Sequence, residues 1–509
     1  MENTNESRKR FASTVHFSPP SVTMVVILVV YTIITIGLAY VMPYLPVLGI
    51  IGAIAVNLVV LFFLRSRFAL PLYLVVAAPS IALTLGHSGT LSRIYLGNLI
   101  FAMIVGIWIL QIVLPQRKSG KRLLQTSLLV PIVLLNLAAL ISIVYSHIAP
   151  DPNVIYQFPH SSTSVYVVNI TEIALVIGLP MFLVIIPSIL RRARDIRWSI
   201  IAYTIVGTLF AIGTIFAAPL NLYSHEVILG NRRPQVFGAT SSELGGLLVF
   251  FTNIALGQAL YTKKWQYRLL WATITFIFSV AVIMSFGRES WIELFLSVLL
   301  MIGLRTKNWS ILFVLLIPLA LLFVPGVTDF FNSSKVYGAD RFTIWQDAVN
   351  IWQSNPIFGA GAGNYQFFDR IYGLDKVGVA HNQYLEVLAE MGIQGLVSLL
   401  WLLCAMSWVA WRSFTRARTA LSKSIALAYI GCQLTLFISG FFTDLFMPSA
   451  AAGGGTSLFV ESSYRWILLG IVLSIPNWEQ EAERQEEQSK LQEAGVEQAK
   501  EEIVGITGQ

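Results

Sequence analysis

Apolar runs of about 20 residues, separated by short polar breaks, recur along the chain from residue 22 to residue 476. Each is long enough to cross about 30 Å of hydrocarbon as a helix. About fourteen spans are predicted, near 22–42, 45–64, 69–86, 94–115, 124–148, 166–190, 198–218, 241–260, 267–285, 289–304, 308–325, 392–415, 421–444 and 457–476. Two polar segments interrupt this rhythm: "SHEVILGNRRPQVFGATSSELGG" at 224–246, and a connection over 326–391 far longer than ordinary loops. Within the second, "RFTIWQDAVNIWQ" places Arg341, Trp345, Ala348 and Trp352 on one helical face. The two tryptophans predict a helix lying at a membrane interface.

The chain thus divides into an N-terminal tail (1–21), an N-terminal transmembrane bundle (22–325), a large loop containing short helices (326–391), C-terminal transmembrane helices (392–476) and a charged tail (477–509). The tail is rich in Glu, Gln, Lys and Ala and reads as a solvated helix, with Glu486 and Lys490 spaced as a pair.

Composition agrees with the pattern. Hydrophobic residues make up 56% and charged residues 12%, against about a quarter charged in soluble domains. The fold class is an all-α polytopic membrane protein with about 12–14 transmembrane helices. Arg8, Lys9 and Arg10 lead directly into a full-length span without a small-residue cleavage site, so no cleavable signal is expected. The net charge of +7 does not point to nucleic acid, because the basic residues sit in short loops beside spans. Those loops alternate: with both tails, one side collects about 25 of the 34 Lys and Arg residues. This predicts cytoplasmic termini and an extracytoplasmic 326–391 loop. Cys404 and Cys432 fall within spans and are expected as free thiols.

Arginines on the basic-poor side need a reason. Arg288 lies in "MSFGRESW", a tight turn between apolar spans, where a charge requires a partner or a wet cavity; an ion pair with Glu289 or Glu293 is the plainer account. Arg465 is expected to pair with Glu461, four residues earlier. Arg232 and Arg233, followed by Pro234 and Gly238, read as an anion-contacting turn or a solvated loop. "GAGAGN" (359–364) reads as a flexible turn or a backbone anion nest, and matches neither the Rossmann nor the P-loop spacing. His381 stands at the start of a helix in the longest loop, where neutral imidazole is available as a base near its ordinary pKa of about 6.5. His87, His147, His160 and His225 lie singly in loops, and no histidines have zinc-ligand spacing. Without an Asp-x-Asp pair outside, arginines would neutralise a phosphate leaving group, with no metal, nucleotide or other cofactor.

At this point "RFTIWQDAVNIWQSNPIFGAGAGNYQ" followed by "AHNQYLEVLAEMGIQGL" resembles the signature region of the O-antigen ligase and polymerase superfamily (Wzy_C type). The likeness runs over about 341–395 and extends loosely to the arginine loop at 232–238 and to "SFGRESW", where Glu289 replaces a commonly small residue. No such likeness covers roughly the first 160 residues. The resemblance implies a metal-independent, GT-C-like glycosyltransferase in the bacterial cytoplasmic (inner) membrane, with an extracytoplasmic (periplasmic) active site. The donor would be a glycan on undecaprenyl diphosphate and the acceptor a hydroxyl of lipid A–core, another lipid-linked repeat or a protein. Carried over by position, His381 would be the general base, Arg233 and Arg288 the diphosphate clamp, and Arg341 a further anion contact. Arg232, Asn382, Glu390 and Asp444 are secondary candidates. A ligase is favoured and a polymerase is the alternative within the same chemistry. A transporter of small anions or lipid-linked sugars is the alternative of another class, kept open by Glu172 and Glu293 within spans.

Overall fold

The computed structural model describes residues 66–77, 84–85, 94–95, most of 101–109, 126–154, 164–308 with a few gaps, 341–368, 371, 379–443, 446–447 and 459–484 with two gaps. The chain divides into a short unit, Met1–Ala69, and a long one, Leu70–Gln509; the arrangement below is that of the long unit. The spans predicted over 22–42, 45–64 and 308–325 lie outside the described residues.

The elements follow the apolar pattern. They are α1 (Ser66–Ala77), α2 (Thr126–Ile148), α3 (Val165–Ile189), α4 (Ala193–Ile215), α5 (Ser241–Tyr261), α6 (Trp265–Met284), α7 (Arg288–Thr306), α8 (Arg341–Ser354), α9 (Tyr365–Phe368), α10 (Gln383–Arg416) and α11 (Ala420–Ser439). A last helix, α12, covers 461–481. Among the described residues, seven helices (α2 to α6, α10 and α11) are long and apolar enough to cross a membrane. The protein is an all-α, multi-pass membrane protein. α7 has nearly the same length but carries Arg288, Glu289, Glu293 and Arg305.

Two predicted spans are corrected. α1 runs over Ser66–Ala77, with Pro71 inside it. Thr84–Leu85 then pairs antiparallel with Ile94–Tyr95, so neither 69–86 nor 94–115 is one continuous helix. His147 is also corrected: it belongs to the last turn of α2, where its Nε2 lies 3.1 Å from Asn169 Oδ1 and its ring stacks on Tyr166.

α12 is buried on every side over 461–475, as expected of a helix inside a large bundle. Tyr464 ties it to two neighbours: its hydroxyl donates to Leu74 O (2.9 Å) and its carbonyl accepts from Tyr203 Oη (2.8 Å). Trp466 stacks on Phe446 at 5.0 Å. α6 presents Leu269, Leu270, Phe276 and Ile283 outward, where hydrocarbon would cover them.

The two chain ends of the bundle differ in kind. At one, Arg305 lies over the Tyr261 ring and donates to Leu260 O, while Glu479 accepts from the backbone N–H groups of Arg418 and Thr419. These residues belong to the basic loops of the predicted alternation.

α10 is one assignment but two helices. Gly392 has φ 67° and ψ −167° and separates Gln383–Met391 from the span that follows, matching the predicted span start at 392. Its left-handed backbone lets Ile357 O and Gly359 N approach where a side chain would stand. Gly359, at φ 72°, makes the reciprocal approach to the Glu390 backbone. The glycine-rich stretch is therefore a packed joint. Ala360 N donates to Ala389 O, Gly361 N to Glu390 O and Ala362 N to Ser142 Oγ. Those N–H groups are spent inside the protein, which corrects the anion-nest and flexible-turn readings together. Glu172, from α3, packs beside Gly363 in the same joint.

Gly392→Ala is expected to destabilise the purified protein by about 2 kcal/mol or more, through left-handed strain and overlap with the Ile357 carbonyl. Gly106→Ala, where an added methyl meets nothing within 4 Å, should leave the melting temperature nearly unchanged. Equal effects in thermal unfolding would contradict the joint.

Candidate active site

The opposite end of the bundle gathers side chains from four separate stretches. The first is a hairpin of two strands, Tyr223–Ile228 and Asn231–Pro234, in which Val227 faces Arg232. Successive strand residues point to opposite faces, so the two arginines part: Arg232 is exposed and Arg233 half-buried. Arg233 acts on Arg288 and Arg341, and Arg232 is not among the charges acting on them.

The second stretch is the turn into α7. Phe286 takes a left-handed φ of 58°, and Ser285 Oγ accepts from Gly287 N at 3.2 Å. This tight reversal leaves Arg288 as the first residue of α7, buried at 6% exposure. The third is α8, which forms as predicted but buries Ile344, Asp347, Ala348 and Ile351. Arg341 is its first residue; Nη1 donates to Phe442 O (3.3 Å), and the guanidinium lies 5.4 Å from the Phe442 ring centre. A cation at a helix N-terminus opposes the helix dipole, and anions are favoured there. Two arginines begin two helices in this one place.

Their charges interact. Burial lowers the Arg341 pKa, Glu289 opposes the fall and Arg233 adds to it. Glu289 is buried at 8% exposure, acts on Arg288 and Arg341, and is the acidic member of the cluster. Sequence reasoning noted it only as a departure from the family pattern and as a plain pairing partner. Its signal was a carboxylate beside an arginine in a span boundary.

The fourth stretch is "AHNQY". His381 has φ 47°, in the left-handed region, and is held from both sides. Ala380 N donates to Glu386 Oε2 (3.0 Å), and Asn382 Oδ1 caps α10 by accepting from Tyr384 N and Leu385 N (both 3.1 Å). Gln383 then clamps the segment after α11: its N donates to Gly440 O, its Nε2 to Met447 O, and its Oε1 accepts from Phe446 N and Met447 N. The His381 ring is half-buried, and its Nε2 is a buried atom without a hydrogen-bond partner among the described residues. Burial, and then the Arg341 charge, push its pKa from 6.5 down to about 4.

Arg233, Arg288, Arg341 and His381 are thus brought into one electrostatic neighbourhood, with Glu289 added. Asn382 and Glu390 are committed to the scaffold: Asn382 caps α10, and Glu390 Oε1 accepts from Tyr365 N at 3.0 Å. Asp444 lies outside the described residues. Gln383, a scaffold residue that sequence reading passed over, fixes the loop geometry around His381.

Known proteins share parts of this chain. Residues 273–400, which include Arg288, Arg341 and His381, match the family model described as O-antigen ligase. The teichuronic acid biosynthesis protein TuaE of Bacillus subtilis (strain 168) is 22% identical over 160 residues, 31% of this chain and 30% of that protein. The chain therefore spans about 30% of that relative's length. A solved chain titled "Structural coordination of polymerization and crosslinking by a peptidoglycan synthase complex" aligns with 68% of this chain and 96% of its own, at 18% identity and a TM-score of 0.38. The stretch that matches the O-antigen ligase family model, residues 273–400, overlaps the signature motifs at 341–395.

Proposed function

We propose that this protein moves a glycan from an undecaprenyl-diphosphate carrier to an acceptor hydroxyl, at the extracytoplasmic face of the bacterial cytoplasmic membrane. The family match and the distant likeness to a polysaccharide-biosynthesis protein support a membrane glycan ligase or polymerase. The single observation that carries the finer reading is the convergence of Arg233, Arg288 and Arg341 beside an imidazole whose Nε2 has no hydrogen-bond partner among the described residues. Lipid A–core is the favoured acceptor class, and another lipid-linked repeat is the polymerase alternative.

The chemistry follows from the charges. The acceptor oxygen attacks the anomeric carbon, its proton passes to the His381 imidazole, and the bond from that carbon to the diphosphate oxygen breaks. The lipid diphosphate leaves carrying the electron pair. Guanidinium forks suit bidentate contact with phosphate oxygens and stabilise charge as it develops. In the free protein Arg341 helps to keep His381 neutral. A bound diphosphate offsets that positive charge and raises the imidazole's basicity, so the base is strengthened when the donor is present.

His381→Gln keeps a polar side chain but removes the base, and should lower transfer about 10²-fold or more with normal membrane levels. Near-normal transfer would return His381 to a structural role. Arg233→Lys and Arg288→Lys should each cost about tenfold or more, since a point charge cannot reproduce the fork. Arg232→Lys should be close to neutral, and EDTA should change little. EDTA inhibition reversed by a metal would contradict an arginine-only clamp.

The pH profile gives a separate test. kcat/KM reports the free protein, so its acid limb should lie near pH 4, with transfer preserved as pH falls through 6.5. The acid limb of kcat, which reports the donor complex, should lie higher. A kcat/KM limb at 6.5 would contradict the Arg341–His381 coupling. For sidedness, a cysteine replacing exposed Ser354 should react with an impermeant reagent in intact cells, after Cys404 and Cys432 are removed. Reaction only after lysis would overturn it.

A further inference from the structure

About one helical turn along α7 from the arginine cluster, a second set of charges lies fully inside the bundle. Glu293 on α7 has no exposed surface, and Arg465 on α12 is 3% exposed. Both carboxylate oxygens of Glu293 and all three guanidinium nitrogens of Arg465 are buried without a hydrogen-bond partner among the described residues. Phe250 on α5 lies 6.0 Å from the Arg465 guanidinium.

Yet Glu293 and Arg465 exert on each other the largest effect of any neighbouring charge, and Glu461, expected from spacing as the partner of Arg465, acts more weakly. Two buried opposite charges that act on each other, with no hydrogen-bond partner for either among the described residues, are groups of the kind that a bridging water satisfies. A buried water typically makes about three hydrogen bonds to otherwise unsatisfied polar groups. Burying such a pair gives little net stability, so its presence needs a use.

The use is suggested by the elements it joins. α12 is enclosed on every side, while α7 carries Arg288 at its first position. Glu289 lies four residues before Glu293, on the same side of α7, and acts on Arg288, Arg341 and Glu293. We infer that Glu293 and Arg465 form a water-bridged pair that sets the depth and rotation of α7, and so positions Arg288 for a diphosphate ligand. Both are positioning residues; the inference rests on the reading of Arg288 as a diphosphate contact.

The test uses detergent-purified full-length protein, its melting temperature, and titration with farnesyl diphosphate against farnesol. Arg465→Met leaves Glu293 without its opposite charge and Glu293→Gln leaves Arg465 with only the weaker Glu461; each should lower the melting temperature and weaken farnesyl diphosphate binding about tenfold. The double variant should regain melting temperature yet stay weak in binding. In an Arg288→Lys background the double variant should cause no further loss of binding, which a general packing role would not produce. Should the single variants fail to fold, the double variant and Arg465→Lys carry the test. The lysine variant, which keeps the charge, is expected to bind within about threefold of the parent. Parent-like binding by the double variant, or an undiminished loss in the Arg288→Lys background, overturns the positioning role. A double variant no more stable than the worse single overturns the pair itself. If the parent chain does not distinguish farnesyl diphosphate from farnesol, the proposed function falls instead, and the melting temperatures still decide the pair.

Discussion

Like charges crowded at the edge of a hydrocarbon-embedded bundle repel, and the architecture around the candidate site is organised by that cost. At an effective dielectric of about 20, two unit charges roughly 8 Å apart repel by about 2 kcal/mol. Arg233, Arg288 and Arg341 feel one another, and two of them also occupy helix N-termini, where the dipole disfavours a cation. Glu289 offsets part of this. A diphosphate would offset the rest, which is the physical ground for proposing the cluster as its binding site.

The scaffold holds these charges by backbone geometry. The Phe286 turn delivers Arg288, the paired approach of Gly359 and Gly392 docks the loop joint against α10, and the Asn382 and Gln383 contacts hold His381 in a left-handed backbone. Each device is local, but together they bring residues from 233 to 381 to one end of the bundle. The same arrangement lowers the His381 pKa: the ring is half-buried beside a guanidinium, so protonation would add a further cation to a crowded place.

Much of this is legible in the sequence because hydrophobic length is a one-dimensional property. The runs at 124–148, 166–190, 241–260 and 267–285 correspond closely to α2, α3, α5 and α6. The break at 392 was readable too, since a glycine stood where the polar segment met the apolar one. Contacts that depend on three dimensions were not readable. Arg232 and Arg233 look alike in a string, and only the strand alternation separates an exposed side chain from one in the cluster. Spacing pointed from Arg465 to Glu461, whereas the larger charge effect comes from Glu293 on another helix. The 69–86 run gave no sign that Thr84–Leu85 pairs as a strand with Ile94–Tyr95. The glycine-rich 359–364 stretch gave no hint that its N–H groups serve α2 and α10.

The central claim is that the carrier bond is broken, and that claim separates transfer from transport. Purified protein in sealed vesicles, given a lipid-linked glycan donor and an acceptor, should release one polyprenyl diphosphate for each glycan moved, counted by mass spectrometry. Release and glycan transfer should rise together and vanish together without acceptor. Donor that crosses the bilayer or leaves the vesicle with its carrier bond intact, and no free polyprenyl diphosphate, would contradict the account.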